Sequence, residues 1–236
     1  MLTADPRHVV VLRVAPSYCG VAPSFGGASP LGRCARSEPV CLVAVVGARI
    51  AGVMGTLKTE PARTRQDLLA PPVTEALHRW PADSPVGVDD ILVAPIDATL
   101  ADTVAFCAAY DVGLDVSANC VVVAGKREGT VRYAACVVLA TTRADVNGVV
   151  RRHLDVRKAS FAPMAEAVEL TGMEYGGITP IGLPESWPIL VDSRVAGTPY
   201  VIVGSGVRHS KIALPGAALG LLPTAEVVEG LAREVG

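Results

Sequence analysis

Two β-rich runs, residues 119–124 and 130–141, flank the polar, glycine-bounded segment Gly125-Lys-Arg-Glu-Gly129. Strand-forming runs on either side of a short glycine-bearing loop predict an antiparallel hairpin. Around this hairpin the pattern alternates irregularly between strand and helix. Leu100, Thr103, Val104, Cys107 and Ala108 recur at helical intervals, which predicts a helix over 99–112 that Gly113 would stop. Residues 71–80 and 163–171 read as helices with proline in the first turn, and 144–154 as a third. Short strands are expected at 91–96, 157–161, 188–192, 200–204 and 211–214, with closing helices at 216–221 and 224–233. A hairpin within such a series implies an α/β domain of the α+β type, a mixed sheet flanked by helices.

Composition narrows the class. Of the 236 residues, 50% are hydrophobic and 19% charged, so the chain can close an apolar core and is no solvating polymer. Aromatic residues make up 4%, which argues against a surface that stacks successive bases on rings. The net charge of −2 supplies no global field toward nucleic acid, so an RNA partner has to be met by a local patch. The six cysteines, Cys19, Cys34, Cys41, Cys107, Cys120 and Cys136, form no C-x-x-C pair and stand beside no paired histidines. They read as small core thiols in a reducing, cytoplasmic setting, without a metal site.

The first 53 residues differ from the rest. They hold Arg7, Arg13, Arg33, Arg36 and Arg49 but no lysine, and they show no sustained period. The apolar run 40–48 is too short to span a bilayer and begins too far from Met1 for a signal peptide. The expectation is a poorly patterned extension before a domain at 54–236, with Met54 as the natural start and 1–53 an over-extended reading frame. Peptides from 1–53 in mass spectra of the natural protein would refute that start site.

Several catalytic signatures are absent. Ser205 lies in Val203-Gly-Ser-Gly-Val207, whose outer valines exclude the hydrolase nucleophile elbow. Gly204-Ser-Gly206 lacks the third glycine and following helix of a dinucleotide site, and there is no Walker loop. His8, His78, His153 and His209 show no ligand spacing, and His153 reads as a cation at a helix end. What stands out is 171–183, where four glycines and a proline separate a helix from a strand. Such a backbone turns sharply and can bring N–H and C=O groups close to a ligand, although an ordinary tight connection has the same composition.

Three stretches follow in order: Arg157-Lys-Ala-Ser-Phe-Ala162, Glu169-Leu-Thr-Gly172 and Gly176-Gly-Ile-Thr-Pro-Ile-Gly182. Pro188-Ile-Leu-Val-Asp192 and Val201-Ile-Val-Gly-Ser-Gly-Val-Arg-His-Ser210 continue the series. In order and spacing the series resembles the YbaK family of aminoacyl-tRNA editing domains, from about residue 97 to the C-terminus. The resemblance implies a YbaK-like fold and hydrolysis of the ester of a mischarged tRNA carrying a small amino acid. It implies no metal or organic cofactor. The partners implied are the 3′ acceptor end of aminoacyl-tRNA and an aminoacyl-tRNA synthetase, with neither DNA nor a membrane expected. Gly176, Gly177, Ile178, Thr179 and Pro180 match the loop that lines the family's aminoacyl pocket. Asp192 matches an acidic strand end, and Gly204, Ser205 and Gly206 match a facing glycine-rich turn, with His209 just beyond. The family's chemistry rests on backbone polarisation and the substrate's own ribose hydroxyl, a role that fixed dipoles can perform without reorganising.

The chain departs from this pattern at Asn119, where active members usually carry lysine. A neutral amide replaces a charge-assisted contact that commonly contributes about 1.5–3 kcal/mol. Lys126, Arg157 and Lys158 are the candidates to restore the charge, with Arg157 and Lys158 in the matching motif, where alternation turns only one of them to the pocket, and Lys126 reading as a solvated hairpin residue. Two functions remain open. One is an editing deacylase, with Gly176, Gly177 and Asn119 at its centre. The other is a silent module that binds aminoacyl-tRNA or an amino-acid ester. A structural or regulatory partner of a translation enzyme is a third, weaker reading.

Overall fold

A computed structural model describes residues 54–235. The proposals about residues 1–53 lie outside the described residues.

The predicted hairpin is the spine of the larger sheet. β3 (Ala118–Arg127) and β4 (Thr130–Leu139) pair antiparallel over their full length, Ala118 opposite Leu139 and Arg127 opposite Thr130. The turn is tighter than expected. Gly125, Lys126 and Arg127 belong to β3, and only Glu128 and Gly129 form the loop, both at positive φ. Two left-handed residues match the right-handed twist of a hairpin, which lets the strands run on to the tip.

β4 joins β7 (Ile189–Asp192), which joins β10 (Ala225–Val228), both in parallel, while β6 (Ala159–Phe161) pairs antiparallel with β3. The order is β10-β7-β4-β3-β6. A second sheet has the order β1-β2-β9-β8, from β1 (Glu60–Pro61), β2 (Leu92–Pro95), β8 (Val201–Gly204) and β9 (Ser210–Leu214). β5 (Thr142–Ala144) and β11 (Ala232–Glu234) make a two-stranded ribbon.

Alternation along β4 explains the layers. Ala135, Val137 and Leu139 face one core with Ile189 and Val191, against Val93, Val201, Val203, Ile212 and Leu214 of the second sheet. Ala134, Cys136 and Val138 face the other way, onto Val146, Val150, Leu154 and Leu231. A strand covered on both faces reads as a continuous apolar run, as this one does.

Six α-helices occur among the described residues: α1 (Pro71–His78), α2 (Thr103–Tyr110), α3 (Arg151–His153), α4 (Met164–Thr171), α5 (Ser193–Ala196) and α6 (Gly216–Leu219). None is long and apolar enough to cross a membrane. α2 begins at Thr103 because Asp102 caps it, accepting from the N–H groups of Val104 and Ala105, and it ends at Asp111 in the left-handed conformation rather than at Gly113. The helix expected over 144–154 is a π-helical turn (Val146–Val150) running into α3. The one expected over 224–233 is not helical. Its residues form β10, a turn and part of β11, because pairing with β7 and β5 satisfies the backbone there.

Candidate functional site

The glycine-rich loop and the turn after β8 are zipped together through their backbones. Glu174 N–H donates to Gly206 O (2.8 Å), and Gly206 N–H donates to Gly177 O (2.7 Å). The Glu174 carboxylate accepts from Arg208 N–H at 2.7 Å. The approach is too close for side chains. A Cβ on Gly177 would lie 2.5 Å from Val207 O, and one on Gly204 would lie 2.3 Å from Gly177 O. Arg208 then straps the pair to the segment before α2, its Nη1 donating to Tyr175 O (3.0 Å) and its Nη2 to Ala98 O (3.1 Å).

Beside this seam lies a cavity of about 580 Å³, walled by the β3 start, α4, the glycine loop and the Asp102–Thr103 corner. Asn119, Gly176, Ile178 and Gly204 line it, drawn from three separated parts of the chain. Asn119 is already engaged, its Oδ1 accepting from Thr103 Oγ1 at 2.6 Å. Ala118, Val122, Ala167 and Ile178 supply an apolar wall, and Phe161, Met164 and Tyr175, all more than half exposed, stand at the mouth. Cys120 also lines the cavity, but burial pushes its thiol far above the ordinary cysteine range, so it offers no thiolate nucleophile. Cys136, on the opposite face of the sheet, is pushed up to about 12 by the same cause.

The other residues singled out in the sequence lie elsewhere. Gly177 and Gly206 sit in the seam behind the cavity. Ser205 is fully buried, its hydroxyl 2.7 Å from that of Ser210, which in turn donates to Leu68 O. Pro180 is buried away from the lining. Asp192 is 1% exposed and binds Arg194 and Ala232 rather than facing the cavity. His209 is exposed with Nε2 3.3 Å from Asp67 O, and Lys158 is exposed beside β6. Lys126 and Arg157 do not line the cavity either.

Thr179 is fully buried, and its hydroxyl has no hydrogen-bond partner among the described residues. An unsatisfied buried hydroxyl costs about 1–3 kcal/mol, so Thr179→Val, which keeps the shape, should raise stability by about 1 kcal/mol in urea unfolding. A loss of stability would mean that the hydroxyl has a partner after all.

Two cations escaped the sequence reading, Arg208 and Lys211, and both line the cavity. Lys211 is 8% exposed. Burial lowers its pKa from the ordinary lysine value, a push that Arg208 reinforces and that Cys107 and Asp102 oppose. The signal was there to be read: a lone lysine heading the apolar strand Lys211-Ile-Ala-Leu214. Elsewhere, a groove of about 420 Å³ against the β5–β11 ribbon is lined by the Arg233–Asp145 ion pair among others and contains none of the motif residues.

Comparison with known proteins bears on the family and the fold. Residues 97–220 match the profile of the aminoacyl-tRNA editing domain. A solved structure of a candidate trans-editing enzyme for prolyl-tRNA synthetase shares the fold, with 22% identity and a TM-score of 0.57, covering 70% of this chain and 97% of that one. A scaffold protein from computational epitope grafting matches with 21% identity, the same TM-score and the same coverage. A hypothetical protein matches with 21% identity and a TM-score of 0.51, covering 60% of this chain and 90% of that one. No curated protein matches the chain.

Proposed function

Because the chain belongs to the aminoacyl-tRNA editing domain family, whose profile spans 97–220, we propose that it hydrolyses the ester of a mischarged tRNA carrying a small amino acid. The observation that carries this reading is the cavity itself, in which Asn119, Gly176, Ile178 and Gly204 converge from separate elements. The 3′ end of the tRNA enters past Phe161, Met164 and Tyr175, exposed apolar side chains against which a terminal base can stack. The aminoacyl group reaches the wall of Ala118, Val122 and Ile178, which favours a small apolar side chain. Water adds to the acyl carbon, the ester C–O bond breaks, and the ribose oxygen leaves with a proton. Fixed backbone dipoles of the glycine loop stabilise the oxyanion. Neither Cys120, held as the thiol, nor Ser205, buried outside the lining, is placed to act as the nucleophile.

Deacylation of a panel of mischarged tRNAs by the full chain tests this, beginning with alanyl- and cysteinyl-tRNA for proline. Hydrolysis clearly above the spontaneous rate is the expected result. A folded protein that binds a non-hydrolysable aminoacyl-tRNA analogue yet hydrolyses nothing would instead establish the binding module. Asn119, a neutral amide already bonded to Thr103, is the observation that favours that second reading.

A further inference from the structure

Residues alternate faces along β9. Ile212 and Leu214 enter the core between the sheets, so Lys211 and Ala213 point to the opposite face, where α2 packs with Phe106. The Lys211 stem is therefore enclosed, and its ammonium lies 5.2 Å from the Phe106 ring centroid. Its one hydrogen bond among the described residues goes to Ala101 O, at 3.1 Å. An ammonium carries three donor hydrogens, so two are left for another partner. No carboxylate among the described residues lies within ion-pair distance of it, and the nearest acidic influence, Asp102, offsets its burial only in part. Asp102, which shares the cavity, turns one carboxylate oxygen to the cap of α2, accepting from Val104 and Ala105 N–H.

A buried cation without a contact ion pair is costly, and a well-packed apolar residue of similar volume is commonly at least as stable. A lysine kept under those conditions, with spare donors on the wall of a cavity, is suited to an oxygen-rich ligand. We propose that Lys211 is the cation of this site, donating from Nζ to the ester oxygens of the bound aminoacyl end. The proposal rests on the editing reading of the cavity. It also explains how the site can work with a neutral amide at Asn119, since both residues line the same space.

The test is Lys211→Met in the full chain, read by deacylation, by calorimetric affinity for a 3′-amide analogue of aminoacyl-adenosine, and by thermal melting. Loss of one charge-assisted contact should lower the deacylation rate or the analogue affinity about ten- to a hundred-fold. The melting temperature should stay at or above that of the wild type, because a desolvated charge has been removed. A lysine with a purely structural role would give the reverse, a lower melting temperature with unchanged binding. Adding Asn119→Lys to the Lys211→Met variant should recover at least part of the loss, which separates charge in the cavity from packing at β9.

If the wild type hydrolyses the ester and Lys211→Met does so equally well, the role of Lys211 is overturned while the editing reading stands. If the wild type binds the analogue without turnover, affinity decides the role of Lys211 and the deacylase reading fails alone. A wild type that neither hydrolyses nor binds overturns both. A Lys211→Met variant that is inactive, destabilised and not recovered by Asn119→Lys also overturns the role of Lys211.

Discussion

Gly177→Ala is expected to cut deacylation about a hundred-fold, although its residue does not line the cavity. The added Cβ would lie 2.5 Å from Val207 O and 2.6 Å from the carbonyl carbon, atoms of a backbone that cannot swing aside as a side chain would. Relief requires the glycine loop and the turn after β8 to separate, which breaks the Gly206 N–H to Gly177 O bond. Overpacking of this kind costs about 1–3 kcal/mol in stability. A displacement of about 1 Å at the reacting centre costs about a hundred-fold in rate. Gly176→Ala provides the contrast. Its Cβ would meet only the Arg208 guanidinium, Nη1 at 2.7 Å, a side-chain end that can shift at the cost of its bond to Tyr175 O, although its φ of +84° still strains any other residue. Deacylation and melting of the two variants should therefore rank Gly177→Ala as the more damaging. The opposite order would show that the seam tolerates separation and that the loop backbone facing the cavity is the sensitive part.

Asp192→Ala should destabilise the protein by about 2–4 kcal/mol in urea unfolding at neutral pH, without any direct contact to the cavity being lost. The carboxylate is 1% exposed, caps α5 through Arg194 N–H (3.0 Å), pairs with Arg194 Nε (2.9 Å) and accepts from Ala232 N–H (2.9 Å). Removing it leaves a helix start and a buried N–H without partners. Burial pushes this carboxyl up, but the Arg194 side chain and the two backbone donors outweigh it and hold the group below the ordinary 3.8. A carboxyl whose pKa falls on folding stabilises the native state above its unfolded value, and the contribution disappears as pH drops through the folded value. The stability gap between wild type and Asp192→Asn should accordingly be full at neutral pH and close only below the ordinary value of 3.8. A gap that persisted unchanged into strong acid would mean that the charge contributes nothing. Asp192 thus holds β7 to α5 and β11, whereas its position in the matched motif suggested a place in the substrate pocket.

The sequence determined the series of elements, because period and punctuation are local. The hairpin, the helices after Pro71 and Pro163, and the strands ending at Asp192 and Gly204 are all present in the structure. It also determined the family, since an ordered set of motifs over some hundred residues is a property of the chain itself. Where partners are distant in sequence, local pattern failed. The last segment has helical composition yet forms β10 and β11, because β7 and β5 offer it backbone partners that lie far back along the chain. The site divides in the same way. Glycines at 176 and 177 were legible as points of close approach and Gly204 only through the family resemblance, but what approaches whom was not, because Gly177 and Gly204 serve each other's backbones. Whether Asp192, Ser205 or Lys211 faces the cavity depends on strand register and on the helix laid over each face. Register is fixed by long-range pairing, and one residue of slip exchanges the two faces. Only the folded sheets could put Lys211, not Lys158, on the wall of the cavity.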